Sequence, residues 1–183
     1  RSALLGAQQV ARDPQQVGAV RPFAIVRHAG FLAEGPGEGL LDQIALEFRQ
    51  PVSIITKNAL VLRDLDILVP MAEMGLAQVA VSVTTLDESL RLRLEPRTVT
   101  GKRRIETIRS LASHGIPTLV MAAPVIPGLI SQEIPSILEA AADAGAMSAG
   151  YTLVRLNGAV ERIFTEWISA HYPDRKDKVL GLI

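Results

Sequence analysis

From Leu40 onward, short β-branched runs alternate with segments of helical periodicity, and Pro, Gly, Asp or Ser marks each junction. Strands joined through helical crossovers become parallel neighbours with right-handed connections. This alternation predicts an α/β fold: an arc of parallel sheet with helices outside it. The composition suits that fold. Hydrophobic residues make up 48% of the chain and aromatics 4%, so the core is built from Ala, Val, Leu and Ile, as parallel strands covered by helices require. A length of 183 residues is enough for one domain, or a large piece of one, with a substantial core.

The periodicity resolves into about four strand-helix units. A helix over Leu40 to Arg49, with Leu41, Ile44, Ala45 and Phe48 on its inner face, leads into a strand over Pro51 to Thr56. A second helix follows from Leu62 to Met74, with Leu62, Leu65, Leu68, Val69 and Ala72 on one face, Pro70 as a candidate kink and Gly75 as its stop. The second strand spans Gln78 to Thr84. A charged segment then leads to a helix over Gly101 to His114, with an inner stripe of Ile105, Ile108, Leu111 and Ala112. The third strand covers Pro117 to Val125, and Ser131 reads as the N-cap of a helix that runs to Ala144, with Glu133 in its first turn. Met147 to Leu156 is the fourth strand. Val160, Ile163, Phe164 and Trp167 make the inner face of the last helix. Residues 1–39 carry weak periodicity and one strand-like run, Pro22 to Arg27, so they form a poorly specified segment set apart from the unit over 40–183.

Several function classes are excluded or disfavoured at this level. The sequence contains no cysteine, which rules out disulfides, thiolate zinc sites and thiolate-held iron–sulfur clusters for these residues. The three histidines, His28, His114 and His171, lie far apart with no i,i+4 pairing, so they read as surface or capping residues and no metal is assigned to them. Nineteen basic residues balance nineteen acidic ones, so no broad electrostatic footprint for nucleic acid exists. No apolar run approaches a bilayer-spanning length and no signal-peptide pattern opens the sequence, so a soluble, cytoplasmic protein is expected. The phosphate-binding, dinucleotide-binding, nucleophile-elbow and metalloprotease signatures are all missing.

In a closed parallel barrel the functional groups sit at the C-terminal ends of strands, and there this sequence turns polar. Lys57 follows directly on the first strand, where its ammonium can hold a carboxylate or phosphate, or simply open a solvated turn. Ser82 alternates with Val81 and Val83, so its hydroxyl points away from two apolar neighbours and needs a partner, which a backbone carbonyl supplies as readily as a ligand ribose. Glu95-Pro96-Arg97 presents an acid and a base side by side, as a site or as a solvated face. Pro124 to Gly128, containing Val125 and Ile126, either presses its backbone against a flat ligand or serves as a rigid connector. Arg155, inside the fourth strand, needs an anion beside it unless it lies at the rim.

The segments PVSIITKNALVLRDLD, VAVSVTTLD, LEPR, GIPTLVMAAPVIPGL and AGYTLVRL occur in the order and spacing of one group of radical S-adenosylmethionine (SAM) proteins. Over Leu40 to Ile183 the chain resembles the DNA repair photolyase group, which is similar to spore photoproduct lyase. That resemblance implies a partial (β/α)6 barrel with a [4Fe-4S] cluster and SAM, in which the reduced cluster cleaves the sulfonium to a 5′-deoxyadenosyl radical that abstracts a substrate hydrogen. It implies that Lys57 meets the SAM carboxylate, that Ser82 lies near the ribose and that the Val125–Ile126 backbone lies beside the adenine, with Glu95 and Arg97 as further cofactor-binding candidates. The physical demands agree, since a zwitterion needs a cation and adenine an apolar slot with backbone partners.

Two departures qualify it. The C-x3-C-x2-C cluster loop of the family has no counterpart, and no other residue replaces three thiolates. Asn157-Gly158 stands where the family pattern leads to Pro-His. The expectation is a radical SAM protein of lyase type, truncated and inactive as it stands, with SAM as partner, nucleic acid as a substrate by resemblance only, and self-association if the unit is a fragment. The competing readings are a cluster-free module that binds a nucleotide-like ligand or a partner without chemistry, and an ordinary α/β enzyme acting on a phosphorylated metabolite.

Overall fold

The computed structural model describes residues 25–29, as backbone, and 46–183. Five strands, β1 (Ile25–Ala29), β2 (Val52–Thr56), β3 (Ala77–Ser82), β4 (Thr118–Val125) and β5 (Ser148–Leu153), form one sheet in sequence order. Every neighbouring pair is parallel. The predicted partial parallel (β/α) barrel class is therefore present. Its strand count exceeds the expected four because the run around Pro22 to Arg27, set apart in the sequence, contributes β1, which pairs with β2 from Ile25 opposite Val52 to Ala29 opposite Thr56.

The helices are α1 (Leu65–Glu73), α2 (Glu88–Leu94), α3 (Gly101–Ser113), α4 (Ile134–Asp143), α5 (Ala159–His171) and α6 (Lys176–Leu180). Strand alternation divides the sheet into two faces. Val52, Ile54, Val79, Val81, Val83 and Val120 meet Leu68 and Met71 of α1, Ile108 and Leu111 of α3, and Ile137 of α4 in the main core. A second core gathers Leu90 of α2, Ile126, Leu129, Ile130, Ile168 of α5 and Val179 of α6. It lies beyond the strand ends and ties α5 and α6 to α2.

The boundaries correct several sequence expectations. The helical stretch before β3 divides into a 3-10 turn, Ala59–Asp64, capped by the Asn58 carboxamide, and α1, which runs through Pro70 to Glu73 and is followed by Gly75 at φ +68°. Ser131 does not cap α4: it opens a 3-10 turn, Ser131–Glu133, and its hydroxyl accepts from the Gly128 N–H at 3.2 Å. Val160 and Ile163 are exposed, and Ile168 takes the buried place on α5, flanked by the partly buried Phe164 and Trp167. The fourth predicted strand is shorter than expected, so Arg155 falls in an exposed loop and needs no buried counter-ion. Most of the helix predicted over Leu40 to Arg49 lies outside the described residues; within them Leu46 packs on the core while Phe48, expected to face inward, is 65% exposed.

Candidate functional site

Lys57, Ser82 and the segment after α2 meet at the C-terminal ends of β2 and β3. Ser82 ends β3 on the face opposite Val81 and Val83, which are fully buried in the helix-covered core. Its residue is only 5% exposed, and its hydroxyl makes no hydrogen bond to any described residue. The Ser82 carbonyl accepts from the Arg104 guanidinium at 3.0 Å.

Glu95 is the centre of the polar cluster. It lies just past the C-terminus of α2, whose N-terminus the Asp87 carboxylate caps by accepting from the Ser89 and Leu90 N–H groups at 2.8 and 3.2 Å. One Glu95 oxygen accepts from the Lys57 ammonium and from the Thr84 hydroxyl, the latter at 3.1 Å. The other accepts from Arg104 at 2.7 Å. Burial opposes ionisation of Glu95 and is the largest single influence on it; the hydrogen bonds from Lys57 and Arg104, with the attraction of both cations, outweigh burial and hold its carboxyl below the usual carboxylate range. Glu95 is thus an anion clasped between two cations.

The two cations differ in setting. Arg104, in the first turn of α3, is 2% exposed and spends its planar fork on Ser82, Glu95, the Val99 carbonyl at 3.2 Å and the Thr98 hydroxyl at 2.6 Å. Lys57, at the end of β2, keeps 38% of its side chain exposed. Arg91 holds the turn in shape by donating to the Glu95 and Thr98 carbonyls at 3.1 and 2.6 Å while pairing with both oxygens of Glu88.

A second carboxylate braces the neighbouring loop. Glu133 accepts from the Thr85 hydroxyl at 2.7 and 2.8 Å and from the Leu86 N–H at 2.8 Å. It was expected to serve a helix dipole; in the structure it serves the end of the β3 region.

Of the predicted site residues, the structure gathers Lys57, Ser82 and Glu95. Arg97 is exposed in the turn that follows Glu95. Val125 and Ile126 are buried, at 4% and 2% exposure, and Ile126 packs into the second core. Their carbonyls are already engaged, by the Val154 N–H at 2.9 Å and by the Leu129 and Ile130 N–H groups at 3.1 and 2.9 Å. The β4–β5 register shifts between Ala122 and Val125, where Pro124 has no N–H to donate. Arg155 and Asn157 line a separate hollow with Glu161 and Thr165.

Sequence reasoning missed Arg104, Thr84 and Thr98. A signal for Arg104 existed: it stands four residues before Ile108 and seven before Leu111, on the same helical stripe.

His114 is exposed at the C-cap of α3 and contacts the Ser110 carbonyl through Nδ1 at 2.7 Å, and His171 is exposed at the end of α5 beside Trp167. His28 lies in β1, where only the backbone is described. Among the described residues no three of His, Cys, Asp and Glu gather into a metal-binding group, and no helix is long and apolar enough to cross a membrane. A thiolate-held cluster does not fit this sequence. The Lys57 and Ser82 corner offers chemistry that suits an anionic group and a hydroxyl: a partly exposed lysine and a serine hydroxyl that bonds no other described residue.

An uncharacterised protein of Mycobacterium bovis is 31% identical over 126 residues, 68% of this chain and 37% of its own length. One from Methanocaldococcus jannaschii is 26% identical over 129 residues, 70% of this chain and 47% of its own length. The Acidianus two-tailed virus encodes a third, 31% identical over 97 residues. The chain thus spans 32% to 47% of the length of these relatives. Residues 31–141 match the description of the radical SAM superfamily, and the chain belongs to that superfamily.

Proposed function

We propose that this chain is the SAM-gripping part of a radical SAM protein of the DNA repair photolyase type, similar to spore photoproduct lyase, and that these 183 residues by themselves carry out no radical chemistry. The observation that carries the reading is the placing, at the ends of adjacent parallel strands, of Lys57, whose side chain is 38% exposed, and of Ser82, whose hydroxyl bonds no other described residue. In this reading Lys57 takes the ligand carboxylate and Ser82 a ribose hydroxyl, while Glu95 and Arg104 hold the corner in place. Arg97 borders the same turn, and the Val125–Ile126 backbone segment lies toward the base. SAM, when bound next to a reduced iron–sulfur cluster, supplies a carbon radical. No cysteine is present to hold that cluster.

Calorimetric titration with SAM and with S-adenosylhomocysteine tests the reading. Saturable binding is expected, weakened by Lys57→Ala and, by about two- to tenfold for one lost hydrogen bond, by Ser82→Ala. Preference for a sugar phosphate over every adenosine compound would overturn it. Anaerobic reconstitution with iron and sulfide should leave no cluster absorbance, and a stable cluster would sink the claim of inactivity. Should adenosine compounds bind while the uninterrupted gene carries no cysteine motif, a cluster-free binding module becomes the better description. The photolyase-type substrate rests on resemblance alone, because the balanced charge gives DNA no independent support.

A further inference from the structure

We infer that Arg104 is the positioning residue that makes Lys57 transferable: it keeps Glu95 compensated when Lys57 swings away to a ligand anion. This rests on the reading of Lys57 as ligand-facing. Withdrawing one partner from a buried ion pair normally strands the other charge and is strongly unfavourable. A lysine held by Glu95 alone would therefore be locked. Here Arg104 stays on the carboxylate after Lys57 leaves, beside the Thr84 hydroxyl, whose single proton is shared between Glu95 and the Ala123 carbonyl.

The two cations suit these unequal roles. Arg104 is immobilised by the Ser82 and Val99 carbonyls and the Thr98 hydroxyl and is almost fully buried. Lys57 rides on a flexible stem with 38% of its side chain in solvent. Two cations over one carboxylate leave a surplus of one positive charge, and the accessible share of it sits on Lys57. The class of ligand group so selected is a single carboxylate or phosphate reaching the end of β2. The Arg104 bond to the Ser82 carbonyl fixes the neighbouring hydroxyl in the same stroke.

The experiment follows Lys57 directly, by the rate at which a small amine-reactive reagent acylates it, read by peptide mass spectrometry in the ligand-free protein. S-adenosylhomocysteine affinity is measured in parallel. Glu95→Gln should release Lys57, raising its labelling rate severalfold. Arg104→Met should bind Lys57 more tightly to Glu95, slowing labelling and weakening the ligand by about tenfold or more. The double variant Arg104→Met/Glu95→Gln should recover labelling, which a merely structural role for Arg104 does not allow. Failure of that recovery overturns the inference. If Arg104→Met does not fold, Glu95→Gln decides alone: unchanged labelling overturns it. A wild-type protein that ignores S-adenosylhomocysteine yet gives the expected labelling series would defeat the SAM reading and leave the Arg104 inference standing.

Discussion

A buried guanidinium must find partners for its charge and for its five N–H donors, and Arg104 finds them in Glu95, Thr98 and two carbonyls. Removing Glu95 strands that charge, so Glu95→Leu should cost about 3 to 5 kcal/mol in chemical denaturation. The lowered carboxyl pKa of Glu95 sets the direction of its pH dependence. Its contribution to stability is fully present above the ordinary carboxylate pKa and is lost as pH falls through its own lower value. Acid titration of the wild type against Glu95→Gln should show the wild type losing its advantage in that window. At this scale the sequence marked two polar residues at strand ends and left the buried cation unmarked. Lys57 and Ser82 were legible because strand alternation and an abrupt polar turn place them. Arg104 was not, because it sits in the run Lys102-Arg103-Arg104, where composition suggests a solvated face and only its phase with Ile108 and Leu111 says otherwise.

Among the elements, α2 is one that sequence reading passed over, for a physical reason. Leu90, Leu92 and Leu94 alternate with Arg91 and Arg93, a strand-like period of two, while the structure buries Leu90 and Arg91 and leaves Leu92 53% exposed. Its start was marked all the same, by the capping residue Asp87. Asp87→Ala should destabilise the protein by about 1 kcal/mol. The start of α3 is more tightly constrained, because a Cβ added at Gly101 would lie 2.5 Å from the Thr85 carbonyl oxygen. Gly101→Ala should therefore cost about 1 to 3 kcal/mol, with an unchanged slope in denaturant. Glu133 holds the same loop from the other side. Glu133→Ala should weaken ligand binding at the Ser82 corner and raise hydrogen exchange at the Leu86 amide. The strands were the most legible elements, since their β-branched runs end at Pro, Gly or Lys. The 3-10 turns and the short α6 carry no such period.

For the whole molecule, the sheet ends at β5 among the described residues, and apolar side chains cluster there. Met147 is 70% exposed and Leu153 54%, with Tyr151 between them and Val160 and Ile163 on the adjoining helix. An uncovered strand edge beside apolar surface invites pairing with another chain. We predict concentration-dependent self-association in sedimentation velocity, reduced by Leu153→Lys; a monomer at every concentration would contradict this.

The strict sequence order of the strands has a further consequence for synthesis. Each strand from β2 onward pairs with one that left the ribosome before it, so the sheet can grow by accretion, one crossover at a time, without waiting for distant sequence. The growing edge is always the newest strand, and β5, with its apolar neighbours uncovered, has the character of such an edge.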